Sequence, residues 1–337
     1  MEAYLYEKLK DNKVACRLCN HCCEIKPDGY GRCKVRQNVG GTLQTLVYGK
    51  LIAINPDPIE KKPFYHFAPG TLAYSIATAG CNLRCDFCQN VEISQMPRAT
   101  GKITGADYSP ADVVTDALRT GCHSIAYTYT EPTIFFEFAC DTAQLAHSKG
   151  LKNVFVSNGY MTTAAIDMIA PFLDAINVDL KAFDDDFYQA NCGARLEPVK
   201  ENLLHLKKRG VFVEVTTLLI PGLNDSTAEI KAAARFIADR LGPETPWHLS
   251  RFHPAYKRTD VSPTPANVLT QAYEIGKKAG LKYVYIGNLH GHDGENTYCA
   301  NCGELIIERA GFFNVKTDKV QSGRCAYCGN PLPGVDM

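Results

Sequence analysis

The sequence lacks a net charge, a long apolar run and a leader-like start. Its 337 residues contain 36 Lys and Arg and 36 Asp and Glu, so the formal net charge is 0. This balance, with no Lys/Arg run, disfavours a nucleic-acid binder and an acidic disordered chain. No run of about 18 apolar residues predicts a membrane span. The opening MEAYLYEKLK has no apolar signal-peptide core, so we expect a cytoplasmic protein without a membrane partner.

Cysteine, in contrast, is abundant, with 15 in the chain. A disulfide framework is disfavoured because a chain of this length needs no disulfide staples, and an odd total leaves one thiol unpaired. We therefore expect cysteines that bind metal in a reducing compartment. Most of them form three groups: Cys16, Cys19, Cys22, Cys23 and Cys33, then Cys81, Cys85 and Cys88, then Cys299, Cys302, Cys325 and Cys328. The isolated Cys122, Cys140 and Cys192 are predicted to be buried small hydrophobes.

Strand-like and helix-like segments alternate between Leu72 and Gly287. Helical segments, one opening with a capping box at Ser226 and Glu229, separate strand candidates rich in β-branched and aromatic residues. The predicted strands are Tyr74–Ala79, Ser124–Thr130, Asn153–Ser157, Ala175–Leu180, Val211–Ile220 and Trp247–Phe252, with Tyr283–Ile286 as a candidate seventh. This alternation predicts an α/β fold with parallel strands, either an open doubly wound sheet or a complete or partial (β/α) barrel. In both, the loops after the strands build the site.

Three regions follow from this pattern and from the cysteine groups. Residues 1–70 are predicted to form a cysteine-rich N-terminal module with a connector, because Asn55–Gly70 is rich in proline and contains glycine. Residues 71–290 form the predicted α/β domain. Residues 291–337 form a predicted small module around the last cysteine group.

Cys81, Cys85 and Cys88 lie on one short loop directly after the first predicted strand. Three thiolates so close together can hold three corners of an iron–sulfur cube, whose usual ligand set is four cysteines. The fourth iron is then open to an external molecule. An incomplete zinc knuckle with a distant fourth ligand is the alternative from spacing alone.

The C-x3-C-x2-C spacing, with the aromatic Phe87 before the third cysteine, resembles the signature of the radical S-adenosylmethionine (SAM) superfamily. The resemblance implies a partial or near-complete (β/α) barrel and a 4Fe–4S cluster whose open iron binds SAM. It also implies an enzyme. One electron, from a donor such as ferredoxin or flavodoxin, cleaves SAM to methionine and a 5′-deoxyadenosyl radical, which abstracts hydrogen from a substrate. Phe87 is expected near the adenine, and the exposed iron implies an oxygen-poor setting.

The same resemblance implies SAM contacts at the ends of the second and third strands. Glu131 takes the place of the acid in the family's GGE segment, which receives the methionyl amine, and Tyr129 and Thr130 stand at the glycine positions. Asn158 fits a contact to the ribose or the carboxylate. From the residues alone, Glu131 also fits a carboxylate at a helix N-terminus, and Asn158 followed by Gly159 fits a turn.

Charged residues end the fourth strand and follow the sixth. Asp179-Leu180-Lys181 resembles a segment of glycyl-radical-enzyme activases in which the lysine meets the SAM carboxylate. His253 has a matching place in those activases. An exposed salt bridge between Asp179 and Lys181 and a structural role for His253 are the alternatives.

The resemblance extends over nearly the whole chain. The pattern from Cys16 to Arg36, then DPIEKKP at 57–63, LIPGLND at 219–225 and SRFHPAY at 250–256 resembles the radical SAM component of the AmmeMemoRadiSam system. That component is a relative of pyruvate formate-lyase-activating enzymes. The resemblance implies companion proteins of that system as partners and slightly favours a small-molecule substrate. A partner protein that receives a glycyl radical is the second candidate, and a zinc-dependent binding module, disfavoured by the charge balance, is the third.

The N-terminal cysteines can close a metal site. Four thiolates within 18 positions suit tetrahedral coordination, and structural zinc or a second iron–sulfur cluster both fit the spacing. His21 is a candidate substitute ligand. In the family pattern the ligands are Cys16, Cys19, Cys23 and Cys33, and Cys22 is spare.

The C-terminal cysteines form two C-x2-C knuckles separated by 22 residues, Cys299/Cys302 and Cys325/Cys328. This spacing resembles a zinc ribbon or a rubredoxin-like site. Four thiolates with no open position predict a closed structural site with zinc as the default metal. Mononuclear iron or a cluster is the alternative and implies electron relay.

Overall fold

The computed structural model describes residues 1–289 and 292–337. The chain begins with a three-stranded antiparallel sheet of β1 (Tyr6–Lys8), β2 (Val14–Cys16) and β3 (Glu24–Ile25). A hairpin of β4 (Arg36–Val39) and β5 (Thr42–Thr45) follows. Apolar residues of these strands belong to the same hydrophobic core as the α/β region that follows.

A nine-stranded sheet forms the centre of the molecule. Its strands are β6 (Lys50–Pro58), β7 (Leu72–Thr78), β8 (Ala106–Asp107), β9 (Ser124–Tyr127), β10 (Lys152–Ser157), β11 (Ala175–Asp179), β12 (Phe212–Leu219), β13 (Trp247–Arg251) and β14 (Val284–Gly287). The spatial order is β14-β13-β12-β11-β10-β9-β7-β6-β8, and β7 and β9 to β14 run parallel. Within the described ranges no pairing joins β14 to β8, so the sheet is open. The prediction of a partial (β/α) barrel is confirmed.

All of the predicted strands, including the candidate seventh, are present with bounds that differ by three residues or fewer. The largest difference is at β9, which ends at Tyr127 and not at Thr130. Tyr129 has a φ of 60°, in the left-handed region that a tyrosine rarely adopts. The chain therefore leaves the sheet here and turns towards the strand ends.

The Asn55–Gly70 segment was wrongly predicted to be only a connector. Its first residues belong to β6, which pairs antiparallel with β7. Proline cannot donate to a ladder, but Pro56 and Pro58 lie beyond the two residues that pair with β8, so neither needs a donor on that side. The apolar Phe64 and Phe67 are fully buried at the base of the sheet. The three-region division itself stays a prediction, and its second boundary, at 290 and 291, lies outside the described residues.

Helices separate the parallel strands. They are α1 (Val91–Ser94), α2 (Met96–Thr100), α3 (Pro110–Arg119), α4 (Phe136–Ser148), α5 (Thr163–Ile169), α6 (Asp185–Phe187), α7 (Leu196–Lys208), α8 (Thr227–Phe236) and α9 (Ala266–Lys278). The caps expected at Ser109 and Ser226 are present, since each hydroxyl accepts the backbone N–H of the third residue after it at 3.2 Å. None of the described helices has the length and apolar character needed to cross a membrane.

The C-terminal module contains β15 (Thr297–Tyr298), β16 (Leu305–Arg309) and β17 (Val315–Asp318), then β18 (Val320–Gln321) and β19 (Arg324–Cys325). It packs on the base of the central sheet. The backbone of Val335 exchanges hydrogen bonds with Ala68 and His66 at 2.9 and 3.0 Å. Arg309 is buried and donates to the carbonyl of Tyr65 at 2.9 Å. The module is therefore fastened to the segment between β6 and β7.

Candidate active site and metal centres

A cavity of about 550 Å³ opens at the carboxyl ends of the parallel strands. This volume is typical of a small-molecule site, and the position is where α/β folds bind ligands. The cavity is lined by residues predicted from sequence, namely Cys81, Cys85, Phe87, Cys88, Glu131, Asn158, Asp179 and Lys181. The structure therefore brings together residues from the loop after β7 and from the ends of β9, β10 and β11.

The three central cysteines line one side of this cavity. Burial, with the nearby Glu131 carboxylate, raises the pKa of Cys81 well above its ordinary value, and burial also raises the pKa of Cys88. A hydrogen bond from Cys192 lowers the pKa of Cys85. Three partly buried thiols around one space suit a metal cluster, because metal binding displaces protons that burial otherwise retains.

Backbone hydrogen bonds and an ion pair hold the loop that carries these cysteines. The backbone N–H groups of Arg84 and Asp86 donate to the carbonyls of Cys192 and Asn191, both at 3.0 Å. The Asp86 carboxylate pairs with Arg258 at 2.6 Å. Cys192 is fully buried, as predicted, and it also hydrogen-bonds to Cys85, one of the three candidate cluster ligands. These contacts fix the loop backbone so that its thiols keep their positions.

Glu131 is buried at the cavity edge and its carboxylate is fully hydrogen-bonded. It accepts from the backbone and hydroxyl of Thr133 at 3.1 and 2.5 Å, from the Ser157 hydroxyl at 2.8 Å and from the Asn158 N–H at 2.8 Å. Burial raises the pKa of Glu131. Its bond to Thr133 caps the 3₁₀ helix Pro132–Phe135. Glu131 therefore has the helix-terminal role of the alternative interpretation, and it is also one of the residues that line the cavity.

Asn158 connects the third strand end to the cysteine loop. Its Nδ2 donates to Asn82 Oδ1 at 2.8 Å and lies 3.9 Å from the Cys81 sulfur. Its Oδ1 accepts the Tyr160 backbone N–H at 3.0 Å, which is the turn that the Asn-Gly pair predicts. Asn158 is therefore a positioned side chain between two walls of the cavity.

Asp179 and Lys181 form an ion pair at the end of β11, with Nζ and Oδ2 2.6 Å apart. Their side chains are 32% and 18% exposed, so the pair is not the freely exposed bridge of the alternative interpretation. Burial alone lowers the pKa of Lys181, but the charges of Asp179 and Cys85 raise it above its ordinary value. Lys181 therefore presents a cation beside the cysteine loop.

Phe87 and His253, both predicted to contact SAM, lie in different places relative to the cavity. Phe87 lines the cavity and packs against Phe187 with ring centroids 5.8 Å apart. His253 is exposed and does not line the cavity, because the chain after β13 turns back to fasten Asp86 through Lys257 and Arg258. The structure therefore places His253 outside the cavity that the other predicted SAM contacts line.

A second group of polar residues on the cavity wall was missed by sequence reasoning. Asp57 accepts from Lys61 at 2.8 Å, from Lys62 at 2.7 Å and from the Tyr129 hydroxyl. Although burial alone raises it, these three bonds lower the pKa of Asp57 to about 2. Burial lowers the pKa of Lys62 to about 8, and its ammonium lies 4.1 Å from the Tyr129 ring centroid. In the sequence, the DPIEKKP segment served only as part of a family pattern. The spacing of Asp57 to Lys61 (i, i+4) and to Lys62 (i, i+5) could have indicated these ion pairs.

A buried His248–Glu214 pair lies beside the cavity, and its histidine is a lining residue. Nε2 and Oε2 are 2.5 Å apart, and Glu214 also accepts the backbone N–H groups of Tyr65 and His66. His248 stands next to Thr216 in the register of β13 with β12, and both line the cavity. Sequence gave no signal here, because both residues lie inside strands and become neighbours only when the strands pair.

The N-terminal and C-terminal cysteine groups have different geometries. At the C-terminus, Cys299 and Cys328 have sulfurs 3.7 Å apart, and Cys302 and Cys325 have sulfurs 3.8 Å apart. Tetrahedral zinc with bonds of about 2.3 Å places thiolates about 3.8 Å apart. All four ligand atoms lie within 4.8 Å of one another, a geometry that could hold a metal ion.

Around a smaller cavity stand Cys16, Cys19, Cys23 and Cys33, beside the central cysteine loop. Cys22, which the family pattern leaves out of the ligand set, is exposed and does not line this cavity. His21 lines it but directs Nε2 to the Asn82 carbonyl at 2.9 Å. Cys22 therefore lies away from the four thiols, whereas His21 lies beside them with its Nε2 bound to a backbone carbonyl.

The site thus combines an open, mostly parallel sheet with three thiols after one of its strands, an arrangement that can hold a metal cluster. The family model of the radical SAM superfamily matches residues 75–237. An uncharacterized protein from Methanocaldococcus jannaschii is 46% identical over 333 residues, which cover 98% of each chain. The chain belongs to the radical SAM superfamily.

The chain is also similar to an activating enzyme in sequence and to a solved structure in fold. The pyruvate formate-lyase-activating enzyme of Clostridium pasteurianum is 24% identical over 164 residues, 47% of this chain and 66% of that protein. The crystal structure of Streptococcus suis SuiB bound to S-adenosylmethionine has a TM-score of 0.52 and 12% identity, covering 68% of this chain and 55% of SuiB. Activating enzymes are thus among the relatives, and SuiB shares the fold. Membership of the superfamily implies a 4Fe–4S cluster and SAM.

Proposed function

We propose that this chain is a radical SAM enzyme that acts on a small molecule. Cys81, Cys85 and Cys88 would hold the cluster, which would supply one-electron reductive cleavage of bound SAM and so the means to abstract hydrogen from the substrate. The observation that carries the proposal is the shared cavity of Cys81, Cys85 and Cys88 with charged side chains from the later strand ends.

Each of those side chains has a role that its surroundings support. The three thiols hold the cluster and leave one iron without a protein ligand. Lys181, a cation held by Asp179, meets the SAM carboxylate. Glu131 and Asn158 lie at the two neighbouring strand ends, where they orient the methionyl amine and the ribose. Phe87 supplies an apolar wall for the adenine, and the buried position of these groups excludes water from the reacting atoms.

A small-molecule substrate is supported by further polar residues that line the same cavity. Lys62, Tyr129, His248, Thr216 and Ser250 converge there on one enclosed space. Such a set of buried donors and acceptors suits a polar molecule that is held on several sides. Phe312, from the C-terminal module, lines the same cavity.

The activase function is the second candidate. It is favoured by the activating enzymes among the relatives and by the Asp179–Lys181 pair at the end of β11. In that case the hydrogen donor is a glycine of a partner protein. Companion proteins of the AmmeMemoRadiSam system, and a ferredoxin or flavodoxin as electron donor, are the proposed partners under either function.

Deuterium transfer separates the two candidates. Cells are grown in deuterated medium, and their extract is divided into a small-molecule and a protein fraction, each incubated anaerobically with the enzyme, SAM and dithionite. We expect 5′-deoxyadenosine that contains deuterium only with the small-molecule fraction. Deuterium transfer from the protein fraction alone, accompanied by a glycyl-radical EPR signal, overturns the small-molecule proposal. Cys81→Ala is the inactive control, and Cys122→Ala, far from the cavity lining, is the matched active control.

The C-terminal cysteines are proposed to hold one zinc ion in a closed structural site. Hydrogen bonds from the Asn330 backbone and from Asn301 lower the pKa of the Cys328 thiol to about 6, which supplies a thiolate at neutral pH. Cys299 and Cys325 are buried against Ile306, Ile307 and Leu332. The metal therefore closes a hydrophobic cluster too small to be stable alone.

A further inference from the structure

We propose that Cys16, Cys19, Cys23 and Cys33 hold a second 4Fe–4S cluster, and that this cluster passes electrons to the SAM-binding cluster. The inference rests on the proposed function for its role, but not for the identity of the metal. The four thiols line one cavity between the N-terminal strands and the central cysteine loop. Apolar side chains, Leu18 and Ile134, complete the wall.

Unpartnered donors on the cavity wall point to an anionic occupant. Arg36 is 1% exposed and lines the cavity; its Nη2 pairs with Glu137 at 2.6 Å. Its Nε and Nη1 have no hydrogen-bond partner among the described residues. Asn82 Nδ2, on the same wall, is likewise buried without a partner. Leaving three such N–H groups unpaired is costly, whereas the sulfides and thiolates of a cluster accept bonds from them.

The spacing of the thiols favours a cluster over one zinc ion. Among the described residues, only the C-terminal cysteines bring three or more ligand atoms within 4.8 Å of one another. The N-terminal cysteines surround a space, as the central three do, and neither set has the compact geometry of the C-terminal site. A cube distributes its ligands over separate irons, so its thiolates lie farther apart than those around one ion.

The two cysteine cavities share a wall. Asn82 lines the N-terminal cavity, while the preceding Cys81 lines the large one. Likewise Thr133 lines the first and hydrogen-bonds at 2.5 Å to Glu131, which lines the second. His21 also bonds the Asn82 carbonyl at 2.9 Å. Because the sites are separated by single residues and direct hydrogen bonds, one-electron transfer between them needs no conformational change.

In this scheme the electron balance is simple. A low-potential one-electron protein, of the ferredoxin or flavodoxin class, reduces the N-terminal cluster by one electron. That cluster returns to its oxidised state when the electron passes to the SAM-binding cluster, and no proton or bond changes at the N-terminal site. All four of its irons have a cysteine ligand, so it does not bind SAM.

The metal identity is tested in a variant that lacks the SAM-binding site. Cys81, Cys85 and Cys88 are all changed to alanine, and the protein is purified and reconstituted without oxygen. We expect about four irons and four sulfides per chain to remain, as in one cube, with a reduced EPR signal that SAM does not alter. A further Cys33→Ala change removes them, whereas Cys22→Ala, at the neighbouring exposed thiol, leaves them. Zinc bound in their place, or iron unaffected by Cys33→Ala, overturns the proposal.

Arg36→Lys gives a second readout that does not depend on activity. Lysine keeps the charge beside Glu137 but removes the Nε and Nη1 donors. Because hydrogen bonds to cluster sulfur stabilise the more negative, reduced state, we expect the midpoint potential of the N-terminal cluster to shift to a lower value. An unchanged potential contradicts the contact between Arg36 and the cluster.

The relay role is tested by comparing two reductants in Cys33→Ala. Dithionite is small enough to reach the SAM-binding cluster directly, so we expect it to support 5′-deoxyadenosine formation in the variant. A flavodoxin with its reductase and NADPH is expected to lose that ability, although it supports the wild type and Cys22→Ala. If flavodoxin drives the variant as well as dithionite does, the relay is contradicted; if neither drives the wild type, the proposed function fails instead.

Discussion

Three residues that line the cavity, Lys61, Lys62 and Tyr129, contact the buried carboxylate of Asp57. The Asp57 carboxylate receives two lysines and a tyrosine, and Tyr129, with its left-handed backbone, supplies that third contact. Backbone strain of this kind persists only when the surroundings impose it, and it is concentrated at functional sites. The two lysines differ in environment, since the side chain of Lys62 is 3% exposed and that of Lys61 is 40% exposed.

This difference gives a matched pair of variants. Lys62→Met leaves Asp57 with a buried, partly uncompensated charge, so we expect the free energy of unfolding to fall by about 3 kcal/mol. Lys61→Met removes a largely solvated partner and is expected to cost less than about 1 kcal/mol. Urea unfolding of both variants measures the difference, and equal losses contradict the account of this wall.

At the scale of elements, the N-terminal strands meet the cysteine loop at Gly80. Its φ of 112° disfavours any side chain, and an added Cβ would lie 2.8 Å from Val35 Cγ1. Gly80→Ala should therefore cost about 1–3 kcal/mol through strain and overpacking. Gly101→Ala is the control, because its φ is 69° with open space around it. Urea unfolding measures both variants. If the free energy of unfolding falls less for Gly80→Ala than for Gly101→Ala, the close packing at Gly80 is contradicted.

His66 joins the β6–β7 segment to β14 and to the C-terminal tail. Its Nδ1 lies 2.8 Å from the Pro333 carbonyl and its Nε2 lies 2.7 Å from the Tyr285 hydroxyl. Burial lowers the pKa of His66 from 6.5 to about 4. Between these values the unfolded chain binds the proton and the folded chain does not.

Stability should therefore fall as the pH drops from 6.5 towards 4, and this group contributes up to about 3 kcal/mol of the loss. His66→Gln, which keeps a donor and an acceptor but does not titrate, should lose less stability over the same range. Urea unfolding at several pH values gives this difference. Parallel pH profiles for the two proteins rule out His66 as the cause.

The elements differ in how well the sequence predicted them. The parallel strands were found because each is a short β-branched or aromatic run between helical segments. β6 was missed because its prolines and charges imitate a loop, and its ladder partner is β7. In the same way, the cysteine spacing located each metal group, but the distances between thiols, which distinguish a single ion from a cluster, exist only after β2, β4 and the loop after β7 have packed together.

At the scale of the whole molecule, the chain combines the cavity at the strand ends with an N-terminal and a C-terminal cysteine group. The C-terminal module is joined to the barrel by Arg309, which donates to Tyr65 and stacks on its ring at 4.3 Å. If the C-terminal cysteines hold the proposed zinc, its loss should loosen this module before the barrel unfolds, because the module's own hydrophobic cluster is small.

Cys325→Ser tests that order of events. We expect loss of about one zinc per chain and faster proteolysis within residues 297–337, with fragments of the central sheet surviving. Cys122→Ser places a hydroxyl at another buried position and serves as the control. Metal analysis and limited proteolysis read out both variants; uniform proteolysis along the chain of Cys325→Ser contradicts the local role of the zinc.

The central claim is that the cavity at the strand ends cleaves SAM by reduction. The most direct measurement is the amount of 5′-deoxyadenosine formed by the reconstituted protein with SAM and dithionite in the absence of oxygen. The account predicts steady formation by the wild type and none by Cys85→Ala, whose other cysteine sites remain intact. The absence of 5′-deoxyadenosine with the wild type, at full iron content, contradicts it.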